Sequence, residues 1–170
     1  LTYIFVIGFR HKVGGDWGVY TNYLVGAYES NFKTMFILKD PGYMVLLWLS
    51  AKIGLSNLGT NLFCASIFMI GIHKLCKKQP YPWLAYVVAF PYLITVVGMG
   101  YSRQAFTIGI ALWCYTIWQD EKKYSNIKIF FLIFAGFFFH KSIIFLSFLL
   151  FLKKKGFIIN KYIFFITIPV

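Results

Sequence analysis

The chain has 170 residues, of which 59% are apolar and only 13% charged, and its formal net charge is +12. A soluble domain usually carries about 25% charged residues, so the composition argues against a soluble globule and predicts an integral membrane protein. The lysine excess would favour nucleic acid in a soluble protein, but this chain offers no polar domain to dock on a duplex, and we expect no nucleic-acid partner.

The N-terminal part combines half a membrane span with a polar segment. Residues 1–9 are apolar and typical of the end of a transmembrane helix, because a full span takes about 20 residues. Residues 10–40 are mixed and polar, and they predict an extracytoplasmic loop. Within this loop, apolar residues recur at helical spacing over 20–29, which predicts a short helix there.

The segment 41–53 predicts a second kind of helix. Asp40 is suited to be its N-cap and Pro41 its first helical residue. The apolar run holds only about a dozen residues, too few to cross a bilayer and typical of an interfacial or re-entrant helix.

Three apolar runs then predict transmembrane spans. They cover 57–75, 82–97 with a kink at Pro91, and 104–118. The residues between the second and third runs, 98–102, predict a tight turn whose two glycines take positive φ.

The last part of the chain is harder to thread through a bilayer. Residues 129–152 are apolar except for His140–Lys141–Ser142 at their middle, and 157–170 form a further partial span. Three lysine clusters, at 74–78, 122–128 and 153–155, favour the cytoplasm. The third cluster can reach it only if 129–152 enters and returns, with each half about 17 Å long against a core of roughly 30 Å.

This segment is therefore either a broken or re-entrant hairpin with His140 at its tip, or one kinked helix. The fold class predicted is all-α, a polytopic transmembrane bundle with short interfacial or re-entrant helices. We expect 1–170 to be a single partial membrane domain, a piece of a larger polytopic protein. In this topology the loop 10–40, Arg103 and His140 all lie on the extracytoplasmic side.

The two arginines are the first candidates for a binding site. Arg10 and Arg103 are the only arginines among 17 basic residues, and both lie where a predicted span meets the outer face. Guanidinium binds phosphate in a planar, bidentate way and stays charged in a low-dielectric site. The alternative is that both side chains extend to the lipid headgroups.

Two further residues could move protons. His140 can take and release a proton near neutral pH, although a histidine in an apolar stretch is also often structural. Asp16 follows Gly14–Gly15, where backbone can approach a ligand closely. Its carboxylate could deprotonate a sugar hydroxyl, or pair with Arg10 or Lys12 and only hold the loop. No P-loop, dinucleotide-binding, HExxH or GxSxG motif is present.

Four segments in order resemble the EpsG family of exopolysaccharide polymerases, which are Wzy-like polymerases of oligosaccharide repeat units. The segments are FRHKVGGDWGVY (9–20), DPGYMVLLWLSAKIG (40–54), GMGYSRQAFTIGIAL (98–112) and FFHKSIIFL (138–146). Each motif is short, but their order and intervals also match, and together they cover most of the chain.

The resemblance implies a glycosyltransferase of the cytoplasmic membrane that acts on undecaprenyl-diphosphate-linked oligosaccharide at the outer face. The lipid diphosphate is already an activated leaving group, so no metal or nucleotide cofactor is implied. The lipid bilayer and the lipid-linked oligosaccharide are the expected partners, with a chain-length regulator and a flippase as candidates. We expect the following roles: diphosphate binding by Arg10 and Arg103, general base catalysis by Asp16 or His140, and sugar binding by Trp17, Tyr20, Tyr101 and Gln104.

Two other functions remain open on sequence alone. A flippase or transporter of lipid-linked glycans would use the same arginines but need no base. A non-enzymatic membrane subunit of a polysaccharide assembly complex would tolerate loss of Arg103, provided that the complex still assembles.

Overall fold

The structure is a computed structural model that describes residues 2–120 and 125–145. The described part is helical and contains no strand. Its α-helices are α1 (Thr2–Gly8), α2 (Trp17–Glu29), α3 (Phe32–Ile37), α4 (Pro41–Lys52), α5 (Ser56–Lys77), α6 (Pro82–Ala89), α7 (Ser102–Gln119) and α8 (Ser125–Phe137). A π-helical segment, Phe90–Gly98, continues α6, and a 3-10 turn, Lys141–Ile143, follows α8.

The polar segment 10–40 is more ordered than its composition suggests. It contains two helices, α2 and α3, where the sequence indicates one short helix at 20–29. The predicted helix at 41–53 is present as α4. The predicted partial span 157–170 and residues 146–152 lie outside the described residues.

The centre of the fold is the packing of α5 against α7, which run parallel. Asn61 lies beside Ser102 near the start of both helices, and Lys78 reaches the carbonyl of Thr116 near their ends. Gly71 and Gly109 permit this close approach, since a Cβ on Gly71 would lie 2.2 Å from the Gly109 carbonyl oxygen. Small residues at such crossings are typical of helix pairs that pack closely in membranes.

The predicted turn at 98–102 is wrong in its conformation. The helix that contains Pro91 widens into the π-helical segment and continues to Gly100. Helical backbone is interrupted only at Tyr101 (φ −138°, ψ 83°), directly before α7. Neither Gly98 nor Gly100 has positive φ; among the residues that the structure describes, the glycines that do are Gly14 and Gly54.

The reason is that these residues serve other needs. Pro91 lacks an N–H and cannot continue the α-helical hydrogen bonding, which favours a locally widened helix. Gly98 lies at a tightly packed position rather than in a turn, because a Cβ there would lie 3.0 Å from side-chain atoms of both Ile7 and Phe68.

Much of the outer surface is apolar. Among the described residues, one helix, Ser56–Lys77, is long and apolar enough to cross a membrane, and Pro82–Gly98 and Ser125–Phe137 are shorter apolar helices. Helix α6 has no buried residue, and its Trp83 is 83% exposed. Helix α8 likewise exposes Phe130 and Phe131.

Candidate active site

The site is organised around Arg103, in the first turn of α7. Its Nη1 donates a hydrogen bond to Asp40 Oδ2 at 2.9 Å, and its Nη2 lies 3.7 Å from Asp16 Oδ2. The Asp40 side chain has no exposure, whereas that of Asp16 is 30% exposed and that of Arg103 is 15% exposed. Arg103 is therefore held by one buried carboxylate and one partly open one.

Three tyrosine rings surround the Arg103 guanidinium. The ring centroids of Tyr20, Tyr23 and Tyr43 lie 5.5, 5.8 and 5.8 Å from its Cζ, within the range of cation–π attraction. The Tyr20 hydroxyl donates to Asp16 Oδ2 at 3.2 Å. Burial raises the pKa of Tyr20, and its contact with Arg103 only partly opposes this shift, so the phenol stays a neutral donor.

Asp40 does not play the part that its sequence context suggests. It stands at the N-cap of α4 but makes no side-chain capping hydrogen bond, so the simple cap hypothesis is wrong. The backbone of Asp40 is left-handed (φ 58°, ψ 62°), and this conformation turns its carboxylate toward Arg103 instead of the helix N–H groups. Its Oδ1 is buried without a hydrogen-bond partner.

His140 lies in a break between two helical segments, after α8 ends at Phe137. Its Nδ1 is 3.9 Å from Asp40 Oδ2 and has no hydrogen-bond partner. The break is fixed by its neighbours: the Gly42 N–H donates to the Phe138 carbonyl at 2.8 Å, and Phe139 stacks on Phe106 with centroids 3.7 Å apart. The segments DPGY and FFH thus pack directly on each other.

Arg10 belongs to a neighbouring but separate network. Its guanidinium donates to the Gly98 carbonyl, to Ser102 Oγ and, at 3.4 Å, to Asn61 Oδ1. Ser102 in turn donates to Asn61 at 2.7 Å. The residue is 7% exposed, and burial lowers the pKa of Arg10, although nearby acidic groups oppose this shift. These partners favour a role for Arg10 in positioning α7, because Ser102 directly precedes Arg103.

The glycines before Asp16 approach protein rather than open space. Gly14 (φ 102°) lies against the turn at the end of the π-helical segment, where a Cβ would be 2.6 Å from the Met99 carbonyl oxygen. Gly15 faces the Tyr101 hydroxyl. This close packing brings Asp16 toward Arg103.

The remaining candidates lie at the edge of the site. Trp17 is partly buried, and its ring packs edge-on against His11. Tyr101 precedes α7 beside Gly15, and Gln104 is exposed on the first turn of α7. Across the described ranges, no three His, Cys, Asp or Glu side chains are grouped to hold a metal ion.

The importance of Asp40 is not evident from its place in the sequence. Its Asp-Pro context is that of an ordinary helix start, and its partner Arg103 is 63 positions away. One signal was available: the chain has only five acidic residues, and one of them beside a long apolar run needs a cationic partner.

These features define a class of protein: an apolar protein whose described part is helical and holds a partly buried Arg–Asp–His cluster assembled from four distant chain segments. Such a cluster can bind an anionic group and move a proton. The EpsG family model matches residues 1–170, and the chain belongs to the EpsG family, as the four segments indicate. The family consists of membrane proteins associated with polysaccharide polymerisation. No curated protein and no solved structure matches the chain.

Proposed function

We propose that this chain is a multi-pass glycosyltransferase of the cytoplasmic membrane that polymerises undecaprenyl-diphosphate-linked oligosaccharide repeat units into a surface polysaccharide. The observation that supports this most directly is the Arg103 cluster. Asp16, Asp40, Arg103 and His140 come from the four segments that resemble the family, and they lie within one small volume. A shared site explains why these distant motifs occur together.

The placement of charge supports an outward-facing site. Arg10 binds Gly98 and Ser102 at one end of the parallel pair α5 and α7, whereas Lys78 pairs with Asp120 at the other end. Helix α7 alone separates the two ends by about 27 Å, close to the thickness of a bilayer core. Because lysine clusters favour the cytoplasm, the Arg103 end faces outward, and α5, the α6 helix with its π-helical extension, and α7 each cross the membrane.

The proposed roles follow from exposure and contact length. The Asp40–Arg103 contact is short and buried, so we expect it to persist during turnover. The Asp16–Arg103 contact is long and partly open, so an oxygen of the donor diphosphate can replace it. Arg103 then offsets charge on the leaving diphosphate, and either the released Asp16 or His140 accepts the proton of the acceptor hydroxyl.

Sugar contacts are proposed at the rim. Trp17 and Gln104 directly follow Asp16 and Arg103 in the chain, and Tyr101 lies beside Gly15. All three are at least partly exposed, which suits stacking and hydrogen bonding to sugar rings. Tyr20 is buried and its hydroxyl is hydrogen-bonded to Asp16, so we propose that it positions Asp16 rather than contacting sugar. Arg10 donates hydrogen bonds to Gly98, Ser102 and Asn61, and its predicted contact with the diphosphate stays a prediction.

The test is analysis of lipid-linked repeat units in a strain whose only copy of the full-length protein carries Arg103→Ala. We expect loss of polymer and accumulation of lipid-linked single repeats on the outer face. The matched control is Lys33→Ala, which removes an exposed cation from α3 and should leave polymer length unchanged. Protein amount in the membrane is measured in parallel.

Two outcomes would contradict the proposal. Accumulation of single repeats on the cytoplasmic side would indicate a flippase. Normal polymer from correctly inserted Arg103→Ala protein would indicate a non-enzymatic subunit.

A further inference from the structure

We infer that Asp40 is a positioning residue that sets the orientation of His140, so that the imidazole acts as the general base on the acceptor sugar. The inference rests on the proposed function and deepens it, since it decides between the two candidate bases. It assigns to Asp40 a role that the helix-capping hypothesis did not include.

Two unpartnered atoms carry the argument. Asp40 Oδ1 and His140 Nδ1 are both buried without a hydrogen-bond partner, and the two residues already approach to 3.9 Å between Nδ1 and Oδ2. Unsatisfied buried polar atoms are costly and rare in folded proteins. A rotation of the imidazole that brings Nδ1–H within hydrogen-bond distance of the Asp40 carboxylate gives the histidine nitrogen its missing partner.

The surroundings hold Asp40 in place, whereas the side chain of His140 is partly exposed. The Asp40 side chain is completely buried, and Arg103 binds its Oδ2 at 2.9 Å. Its left-handed backbone is fixed between Pro41 and the hydrogen bond from Gly42 to Phe138. The His140 side chain is 27% exposed although its Nδ1 is buried, so the exposed part of the ring lies away from Nδ1.

This arrangement fixes the tautomer of His140. With Nδ1 protonated and donating to Asp40, the lone pair of Nε2 is free for the substrate. The acceptor hydroxyl gives its proton to Nε2 as its oxygen forms the new bond to the anomeric carbon of the donor. The bond from that carbon to the diphosphate oxygen breaks, and the diphosphate leaves with the electron pair. The carboxylate of Asp40 then faces an imidazolium, whose charge it stabilises.

Other charged and titratable groups around Asp40 fit this role. Arg103 of α7 neutralises Asp40 in the resting state, and Asp16 is the second carboxylate on Arg103. The rings of Tyr20 and Tyr43 lie beside the Arg103 guanidinium. Lys141, which follows His140, is exposed. Asp40 is therefore the carboxylate that contacts both Arg103 and the imidazole.

The experiment is a double-mutant cycle on the full-length protein in membrane vesicles. The probe is the radiolabelled lipid-linked oligosaccharide that accumulates in a strain lacking this protein, and kcat and KM for its elongation are measured. The variants are Asp40→Asn, His140→Gln and the double variant. Asparagine keeps the shape of aspartate and tolerates left-handed backbone, so it removes mainly the charge. Glu29→Gln, on an exposed carboxylate of α2, is the control.

We expect His140→Gln to lower kcat about 100-fold or more and Asp40→Asn to lower it about 10-fold or more, both with little change in KM. The double variant should be no slower than His140→Gln alone, because residues that act as a unit are strongly non-additive. A purely structural Asp40 would instead multiply the two losses, and that result would overturn the inference. So would full activity of Asp40→Asn.

A second measurement keeps the inference testable if His140→Gln has no measurable rate. The catalytic effect of Asp40→Asn must then appear in kcat at normal protein amount and thermal stability; a loss explained by instability alone overturns it. Failure of the proposed function looks different: wild-type vesicles would not elongate the probe, or His140→Gln and Arg103→Ala would both elongate it normally.

Discussion

The Nη1 of Arg103 lies 2.9 Å from Oδ2 of Asp40, and this pair of residues, 63 positions apart in the chain, joins the N-termini of α4 and α7. Both residues stand beside apolar helices, where an unpaired charge is costly. The pair therefore ties α4 to α7 and at the same time leaves a charged group close to the surface of the site.

The first prediction concerns the shape of the Arg103 side chain. Arg103→Lys keeps the positive charge but loses the planar fork that contacts two carboxylates. We expect about a 10-fold loss of elongation rate for the lysine variant and about 100- to 1000-fold for Arg103→Ala. The measurement is elongation of the lipid-linked oligosaccharide in vesicles. Equal activity of the lysine variant and the wild type would show that only charge matters.

The second prediction separates the two arginines. Arg10→Lys cannot donate simultaneously to Gly98, Ser102 and Asn61, and we expect it to lower the free energy of unfolding by about 2–3 kcal/mol. The measurement is thermal unfolding of the full-length protein in detergent, alongside KM for the lipid-linked oligosaccharide. A raised KM with unchanged stability would instead support the diphosphate contact predicted from sequence.

The third prediction concerns the crossing of α5 and α7. Gly71→Ala places a Cβ against the Gly109 carbonyl, so we expect a loss of about 1–3 kcal/mol in the free energy of unfolding. Gly26→Ala in α2 is the matched control, since nothing lies within 4 Å of its Cβ position. That substitution should be neutral or stabilising by up to about 1 kcal/mol. Equal stability of the two variants would contradict the close crossing.

The fourth prediction tests how the break at His140 is held. Phe139→Leu loses the stack on Phe106, so we expect His140 to shift and the elongation rate to fall about 10-fold, as misplacement of catalytic groups is costly. Phe131→Leu is the control, because that ring is 64% exposed. If both variants elongate at the wild-type rate, the stack does not position His140.

The fifth prediction concerns Tyr20 and pH. Tyr20→Phe keeps the ring near Arg103 but removes the hydrogen bond to Asp16, and we expect about a 5-fold loss of rate. Burial raises the pKa of Tyr20 above its ordinary value of 10.0. The phenol therefore stays protonated from about pH 6 to about pH 9, the range in which the vesicles are assayed. The ratio of variant to wild-type rates should therefore stay constant across it. A ratio that changes toward alkaline pH would show that Tyr20 titrates there.

Much of the helical layout was predictable because its signals are local. The apolar runs at 57–75 and 104–118 correspond to α5 and α7, and the Asp-Pro pair correctly marks the start of α4. The conformation of 98–102 was mistaken because glycine has two uses, positive φ and close packing. Only the neighbours Ile7 and Phe68 show that Gly98 serves the second use.

By itself, the sequence determined that the chain is helical and apolar, which residues are scarce and charged, and which family it resembles, because composition and short motifs carry that information. Only the tertiary structure decided how the charges pair. In the folded chain, Arg103 pairs with Asp40 and Asp16, Arg10 donates hydrogen bonds to Gly98 and Ser102, and His140 lies beside Asp40. The physical reason is that the cost of a buried charge depends on the group beside it in space, and the packing of segments that are distant in the chain determines that group.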